Sequence, residues 1–291
     1  MGGDNPIHDG KPASAATGRR SARLTLIMLA VLTLAGCAAS ARIAVPPELA
    51  SSAHVVGIES KAIRIWGDEP LKNIAVAQRK LDQQSRRAHH GRTKRTQSAL
   101  VISGGGSNGA FGAGLLAGWS RAGNRPEFDI VTGVSTGALM APFAFLGPRY
   151  DHVLKEFYTS YSTKDILRPT VLAGLFGGSS VASSDPLASL IAKYMTRSVL
   201  RQIAGQHQRG RRLLIGTTNL DAERPVIWNI GAIAQIDNAR SLKLVRRILL
   251  ASASIPGLFP PVMINVRVNN KISQEMHVDG GTTDNAILVP I

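Results

Sequence analysis

The sequence predicts an α/β fold, and three observations carry that expectation. Short apolar runs bounded by glycines recur, first Ala99-Leu100-Val101-Ile102-Ser103 and then Phe128-Asp129-Ile130-Val131-Thr132, as buried strands require. Each run leads through a glycine turn into a helical pattern, near Gly109 after the first and across the nearly all-apolar Ala138 to Leu146 after the second. A chain of 291 residues with 44% apolar content can also bury a full core, so one such domain is expected.

The remaining elements follow in order. Asp151 to Tyr161 reads as a surface helix and the glycine-rich Ala173 to Ser180 as a flexible connection. Asp185 followed by Pro186 supplies a cap and a first-turn proline for an amphipathic helix running to about Ile203. Arg212 to Asn219 and Pro225 to Ile230 read as strands joined by a turn at Asp221 to Arg224, followed by a helix over about Ala239 to Ala253. Val262 to Val268, Asn269-Asn270 and Lys271 to Val278 form a hairpin whose second strand delivers Asp279 to a glycine turn. A candidate helix between Pro70 and Ala88, with Leu71, Ile74 and Leu81 on one side, interrupts an otherwise polar and basic stretch and docks on the domain.

The N-terminus reads as an export leader. Arg19, Arg20 and Arg23 precede an apolar run, Leu24 to Leu34, that is too short to span a bilayer. Leu34-Ala35-Gly36-Cys37 resembles the lipobox at which bacterial lipoproteins are cut and acylated. Cleavage there would leave Cys37 first and lipidated, and acyl chains at about 0.8 kcal/mol per buried methylene make such an anchor durable. The alternative is an uncleaved signal anchor with an incidental cysteine. Ala38 follows, with no Asp to suggest inner-membrane retention, so resemblance to other lipoproteins favours the outer membrane, facing the periplasm. The expected organisation is thus a signal peptide over 1–36, a lipidated tether and basic linker over 37–98, and a catalytic domain over 99–291.

The formal charge is +15, densest from Arg79 to Arg95, which serves either as a solvated face or as a polybasic patch for anionic lipid headgroups. No aromatic side chains interleave with these charges, and no zinc-ligand or helix-turn-helix pattern accompanies them, so nucleic acid is not an expected partner. The histidines, His89-His90 included, lack metal-ligand spacing, and neither a metal nor another cofactor is expected.

Three separated segments carry the chemistry. In Gly133-Val134-Ser135-Thr136-Gly137 the glycines let a strand turn sharply into a helix and present the Ser135 hydroxyl at the apex. Upstream, the loop Gly104-Gly105-Gly106-Ser107 opens a helix and offers backbone N–H groups to an oxyanion. Downstream, Asp279-Gly280-Gly281 holds a carboxylate that can take the serine proton directly if its surroundings are dry. Together they describe a serine acyl hydrolase. Two other assignments compete. A Ser/His/Asp triad could use His277 with Asp185, Asp221 or Asp237, although His277 alternates along a strand as a surface or packing residue would. Gly104-x-Gly106-x-x-Gly109 also fits a dinucleotide fingerprint, but the acids at the right remove, Glu127 and Asp129, stand before the second strand rather than at its carboxyl end.

With Gly104 to Gly109, Gly133 to Gly137, Ala253-Ser254-Ile255-Pro256-Gly257-Leu258-Phe259-Pro260-Pro261 and Asp279 to Gly281 in order, the chain resembles the patatin-like phospholipases over about Ala99 to Asn285. The resemblance implies a three-layer α/β/α sandwich with a mainly parallel central sheet. It also implies a Ser135/Asp279 dyad, an oxyanion hole from Gly104, Gly105, Gly106 and Ser107, and metal-independent hydrolysis of lipid acyl esters at a membrane. Asn108 stands where many members carry Arg or Lys, and Ile291 follows Asp279 by only a dozen residues, so a last strand or helix is expected to be missing. The rival of another class is a catalytically silent, membrane-anchored lipoprotein that binds lipid or protein.

Overall fold

A computed structural model describes residues 42–58, 60, 63–69, 79, 82–87, 97–160, 168–169 and 182–288. The leader with Cys37, the side chains of Leu71, Ile74 and Leu81, most of the basic stretch and the 173–180 connection lie outside them. The strands are β1 (His54–Val55), β2 (Arg64–Trp66), β3 (Ala99–Ile102), β4 (Ile130–Val134), β5 (Arg168–Pro169), β6 (Ala182–Ser183), β7 (Arg212–Asn219), β8 (Arg224–Asn229), β9 (Val262–Val268) and β10 (Lys271–Asp279). Besides residues 82–87, which are helical within the expected Pro70 to Ala88 helix, the α-helices among the described residues are α1 (Gly109–Arg121), α2 (Thr136–Leu146), α3 (Asp151–Thr159), α4 (Asp185–Tyr194), α5 (Arg197–Gln208), α6 (Ile230–Ala234) and α7 (Ala239–Ser252).

The α/β class stands, but the sheet is mixed rather than mainly parallel. Its order is β1-β9-β10-β7-β4-β3, with β8 on the other edge of β7 and β2 beyond β8. Among the strands of this sheet β3–β4 and β4–β7 pair in parallel, while β1–β9, β9–β10, β10–β7, β7–β8 and β2–β8 are antiparallel. The division follows the connections. A helical crossover returns a strand parallel, as α1 does between β3 and β4, whereas tight turns force reversal. At the β9–β10 turn Asn269 and Asn270 both take left-handed φ values, 46° and 63°, as the favoured two-residue hairpin requires.

Two further expectations change. The stretch read as a linker supplies β1 and β2, which extend opposite arms of the sheet through β9 and β8. The single helix expected from Asp185 to about Ile203 is two, α4 and α5. The chain stops at Tyr194, buries Met195, and restarts where Thr196 Oγ1 accepts the Val199 N–H at 3.3 Å.

The core lies against the central strands. Every residue of β4 is buried, and α2 is buried on all sides, as a helix apolar all round must be. The register of β7 then fixes the functional geometry. β8 occupies one edge of β7 over residues 214–219. The other edge is shared, β4 running parallel as far as Val134 opposite Gly216, and β10 arriving antiparallel with Asp279 opposite Thr217. Two strands far apart in sequence therefore meet end to end, carboxyl terminus to carboxyl terminus.

Candidate active site

That junction is where Ser135 and Asp279 face each other. Ser135 follows β4 with φ 56° and ψ −126°, a conformation unfavourable for any residue but glycine. The turn is tight because its flanks have no side chains: a Cβ on Gly133 would lie 2.5 Å from the Gly137 carbonyl oxygen, and one on Gly137 would strike the Ile102 carbonyl oxygen of β3. The Ser135 N–H donates to Ser252 Oγ at 3.0 Å, and Ser252 Oγ donates to the Gly216 oxygen at 2.6 Å, so the last residue of α7 buttresses the turn. The Ser135 side chain makes no cap to α2. Its hydroxyl donates instead to Asp279 Oδ2 at 2.5 Å.

Asp279 is held on every side. Its Oδ1 accepts the Gly281 N–H at 2.8 Å, its own N–H donates to the Ser254 oxygen at 2.9 Å, and its carbonyl accepts from Thr218 Oγ1 at 3.1 Å. Only 5% of Asp279 and 7% of Ser135 is exposed, so the pair is nearly dry. Burial raises the carboxyl's proton affinity above its ordinary value, and the hydrogen bonds from Ser135 and Gly281 offset only part of that rise.

The glycine loop crosses beside the serine. A Cβ on Gly104 would sit 3.1 Å from that of Ser135, so a side chain there would crowd the serine. Gly104 is nevertheless not a free donor, which corrects the expected four-residue cradle: its N–H is taken by the Asn285 oxygen at 3.1 Å. Among the described residues nothing accepts from the N–H groups of Gly105, Gly106 or Ser107, and all three are exposed, with Gly106 at φ 55°. These remain the candidate oxyanion donors. Gly109, at the start of α1, packs against the Thr136 and Tyr158 side chains, whose hydroxyls are 2.6 Å apart. Burial pushes the Tyr158 phenol up to about 12, so it stays protonated.

His277 is elsewhere engaged. Of the surface and packing alternatives it takes the second: it is fully buried, with Nε2 3.1 Å from Glu275 Oε2 and Nδ1 3.0 Å from Thr217 Oγ1. The Trp228 indole N–H, a donor only, reaches the same Thr217 oxygen at 2.8 Å. Burial lowers the His277 proton affinity despite the neighbouring Glu275, so the ring is neutral. The protons are then assigned: Trp228 donates to Thr217, Thr217 to Nδ1, and Nε2–H to Glu275. Burial disfavours the Glu275 anion, but His277 and Arg64, the latter in a two-pronged bond at 2.5 and 3.1 Å, hold its carboxyl well below the usual range. Neither ring nitrogen is left for Ser135. The other triad candidates are also committed, Asp221 to the Met276 N–H, Asp237 to Arg197 and Arg201, and Asp185 to Ser183.

The nucleotide acids fare no better. Glu127 pairs with Arg211, and Asp129 Oδ2 accepts the Ser98 N–H at 2.8 Å, both beside the end of β4 opposite Ser135. Among the described residues no group of His, Cys, Asp or Glu could hold a metal ion, and no helix is long and apolar enough to cross a membrane. Sequence reading had missed Ser252 and the Arg64–Glu275–His277–Thr217–Trp228 chain. A serine on the buried side of an apolar helix end, in Leu249-Leu250-Ala251-Ser252, was the available signal for the first.

A serine raised on a strand-to-helix turn, bonded to a buried carboxylate and flanked by unused backbone donors, defines the class of serine-carboxylate proteins on an α/β scaffold. The patatin-like phospholipase family model matches residues 100–291, and the chain belongs to that family, whose members hydrolyse lipid esters. Among solved structures a similar chain is that of VipD from Legionella pneumophila, 12% identical over 68% of this chain and 48% of that one, with a TM-score of 0.39. This chain therefore spans about half the length of that protein. Comparison with curated proteins returns no match.

Proposed function

We propose that the protein is a lipid acyl hydrolase of the phospholipase A or lysophospholipase type, working through a Ser135/Asp279 dyad and an acyl-enzyme. The observation that carries this reading is the 2.5 Å bond from the Ser135 hydroxyl to Asp279 Oδ2 in a nearly water-free junction. Asp279 accepts the hydroxyl proton as Ser135 Oγ attacks the ester carbonyl carbon. The carbonyl electrons move to oxygen, where the N–H groups of Gly105, Gly106 and Ser107 would stabilise the charge. Collapse breaks the ester bond, and the proton on Asp279 goes to the departing alcohol or lysolipid. Asp279 then takes a proton from water, whose oxygen attacks the acyl-enzyme, and returns it to Ser135 Oγ as the acyl bond breaks and the fatty acid leaves.

The raised proton affinity of Asp279 supports this role, because a base poised nearer neutrality drives the transfer better than an ordinary carboxylate. The remaining parts of the reading are an acylated Cys37 and an outer-membrane position facing the periplasm, which would hold the enzyme at its substrate. Metabolic labelling with a radioactive fatty acid tests the anchor. Label should enter the wild type and be absent from Cys37→Ala.

The reaction is tested with a fluorophosphonate probe and product profiling on defined phospholipids. Wild type should label and release fatty acid, Ser135→Ala should do neither, and Asp279→Asn should lose about 10²–10⁴-fold in rate. His277→Ala abolishing labelling while Asp279→Asn keeps it would overturn the dyad. Absence of labelling in a folded wild type would leave the silent lipid-binding reading in its place.

A further inference from the structure

α1 runs Gly109-Ala110-Phe111-Gly112-Ala113-Gly114-Leu115-Leu116-Ala117-Gly118-Trp119-Ser120-Arg121, and its only charge is the last residue. A helix apolar all round belongs inside something. α2 obeys this rule and is wholly buried, but α1 buries only Gly109, Ala113 and Leu116. Phe111 is 78% exposed and Leu115 56%, four residues apart and hence on one face. Ala110 and Gly114 are exposed beside them. Between α1 and α3 this surface continues into a groove of about 570 Å³, floored by Ala113, Ala117, Leu154 and Tyr158.

The surroundings of this face are basic. Arg121 and Lys155 line the groove, and the one acid there, Asp151, is neutralised by Arg125 at 2.7 Å. The chain as a whole carries +15. The N-terminus of α1 directly continues the loop beside Ser135, and the Phe111 Cα stands only two residues, about 3 Å of helix rise, past Gly109. Whatever covers Phe111 is therefore held at the mouth of the site.

We propose that the outward face of α1, led by Phe111 and Leu115, docks on the surface of an anionic phospholipid membrane, with Arg121 and Lys155 meeting its headgroups. The proposal rests on the lipid acyl hydrolase reading for its purpose, but its geometry is independent of the chemistry. Small residues around two large anchors suit shallow insertion into the headgroup and upper acyl region rather than crossing. Docking by this face sets the Gly105 to Ser107 donors against the ester layer, so a lipid need rise only a short way to reach Ser135.

The full-length chain in a Ser135→Ala background, which leaves vesicles intact, and with Cys37→Ala, which removes the acyl anchor, carries the binding test. Phe111→Trp is mixed with phosphatidylglycerol/phosphatidylethanolamine vesicles whose acyl chains bear bromine, with the parent protein as the baseline for Trp66, Trp119 and Trp228. The new fluorescence should shift to the blue and be quenched. Separately, Phe111→Asp/Leu115→Asp in catalytically active protein that carries Cys37→Ala should lower vesicle sedimentation and vesicle-phospholipid turnover by about tenfold or more. Turnover of a water-soluble short-chain ester should stay within about twofold, because neither side chain touches the reacting groups.

If the fluorescence added by Phe111→Trp stays unquenched in sedimented protein, or the protein fails to sediment at all, the proposal is overturned. So it is by a dimer that the double substitution dissociates, since a second copy of the chain would then cover α1. The two readings fail separately: quenching without turnover of either substrate sinks the hydrolase and keeps the docking face, and ester turnover without quenching does the reverse.

Discussion

Ser135 sits at φ 56° with a β-carbon, a strain on the order of 1–3 kcal/mol that the surrounding hydrogen bonds sustain. The strain serves to aim the hydroxyl at Asp279, so it should be recoverable once the hydroxyl is dispensable. Ser135→Ala and Ser135→Gly should both be inert toward the fluorophosphonate probe, but the glycine variant should be the more stable by about 1 kcal/mol in thermal unfolding. Equal stability would mean that the turn is relaxed. Asp279 makes a related trade. Its carboxyl, raised above the ordinary 3.8 by burial, keeps its proton in the folded protein over a pH window where the unfolded chain has lost it. The group thus favours folding below that window, and its ionisation costs stability as pH rises through it. Catalysis runs the other way, because the base must be ionised. The rate should climb with pH through an inflection above 3.8, while Asp279→Asn, with no charge to desolvate, should lose the reaction and unfold at no lower temperature than the parent at pH 7. A marked loss of stability in that variant would show the ionised carboxylate to be a net structural asset.

The elements divide into those whose shape is written locally and those whose position is not. Both glycine turns were legible in the sequence because sharp reversal and close approach leave a direct compositional trace. The Asn269-Asn270 hairpin was legible for the same reason. A Gly137 Cβ would press on the Ile102 carbonyl and come within 2.7 Å of the Ser103 oxygen, backbone atoms that cannot swing aside. Gly137→Ala should therefore cost about 1–3 kcal/mol in denaturant titration and depress activity further by displacing the serine turn. Gly205→Ala in α5, where a Cβ meets nothing within 4 Å, should instead stabilise by about 0.5–1 kcal/mol. Comparable losses in the two would refute the close-packing account. Strand direction departs from the expectation because it is not local: β4 and β10 share an edge of β7 through register, and no spacing of residues along the chain announces that. The break at Met195-Thr196 had a signal in the capping threonine, overridden by an apolar pattern that continues across it. His277 alternates as a surface or packing residue would, and it packs, because Thr217 of β7 and the Trp228 ring of β8 close over it.

Those partners tie the whole molecule to the site. Arg64 on β2 bonds Glu275 and lies over the Trp228 ring, Glu275 bonds His277, and His277 bonds Thr217, the register partner of Asp279. An N-terminal strand is thereby coupled to the strand end that carries the base. Glu275 is completely buried, so its anion depends on the charges that meet it. Arg64→Met should strand that anion and destabilise by about 3–5 kcal/mol, whereas Arg64→Met with Glu275→Gln should recover much of the loss by removing both charges. The pH dependence gives an independent sign. Because the Glu275 carboxyl is held below its ordinary 4.5, its contribution is present above that value and fades as pH falls through the depressed one. The wild type should therefore lose stability on acidification below 4.5 more steeply than the double variant does. In activity, the double variant should lower kcat on a soluble ester more than it raises KM, since it touches no substrate and acts only on how firmly Asp279 is held. Additive single and double effects in a double-mutant cycle, with kcat unchanged, would reduce the chain of bonds to independent packing contacts and sever β2 from catalysis.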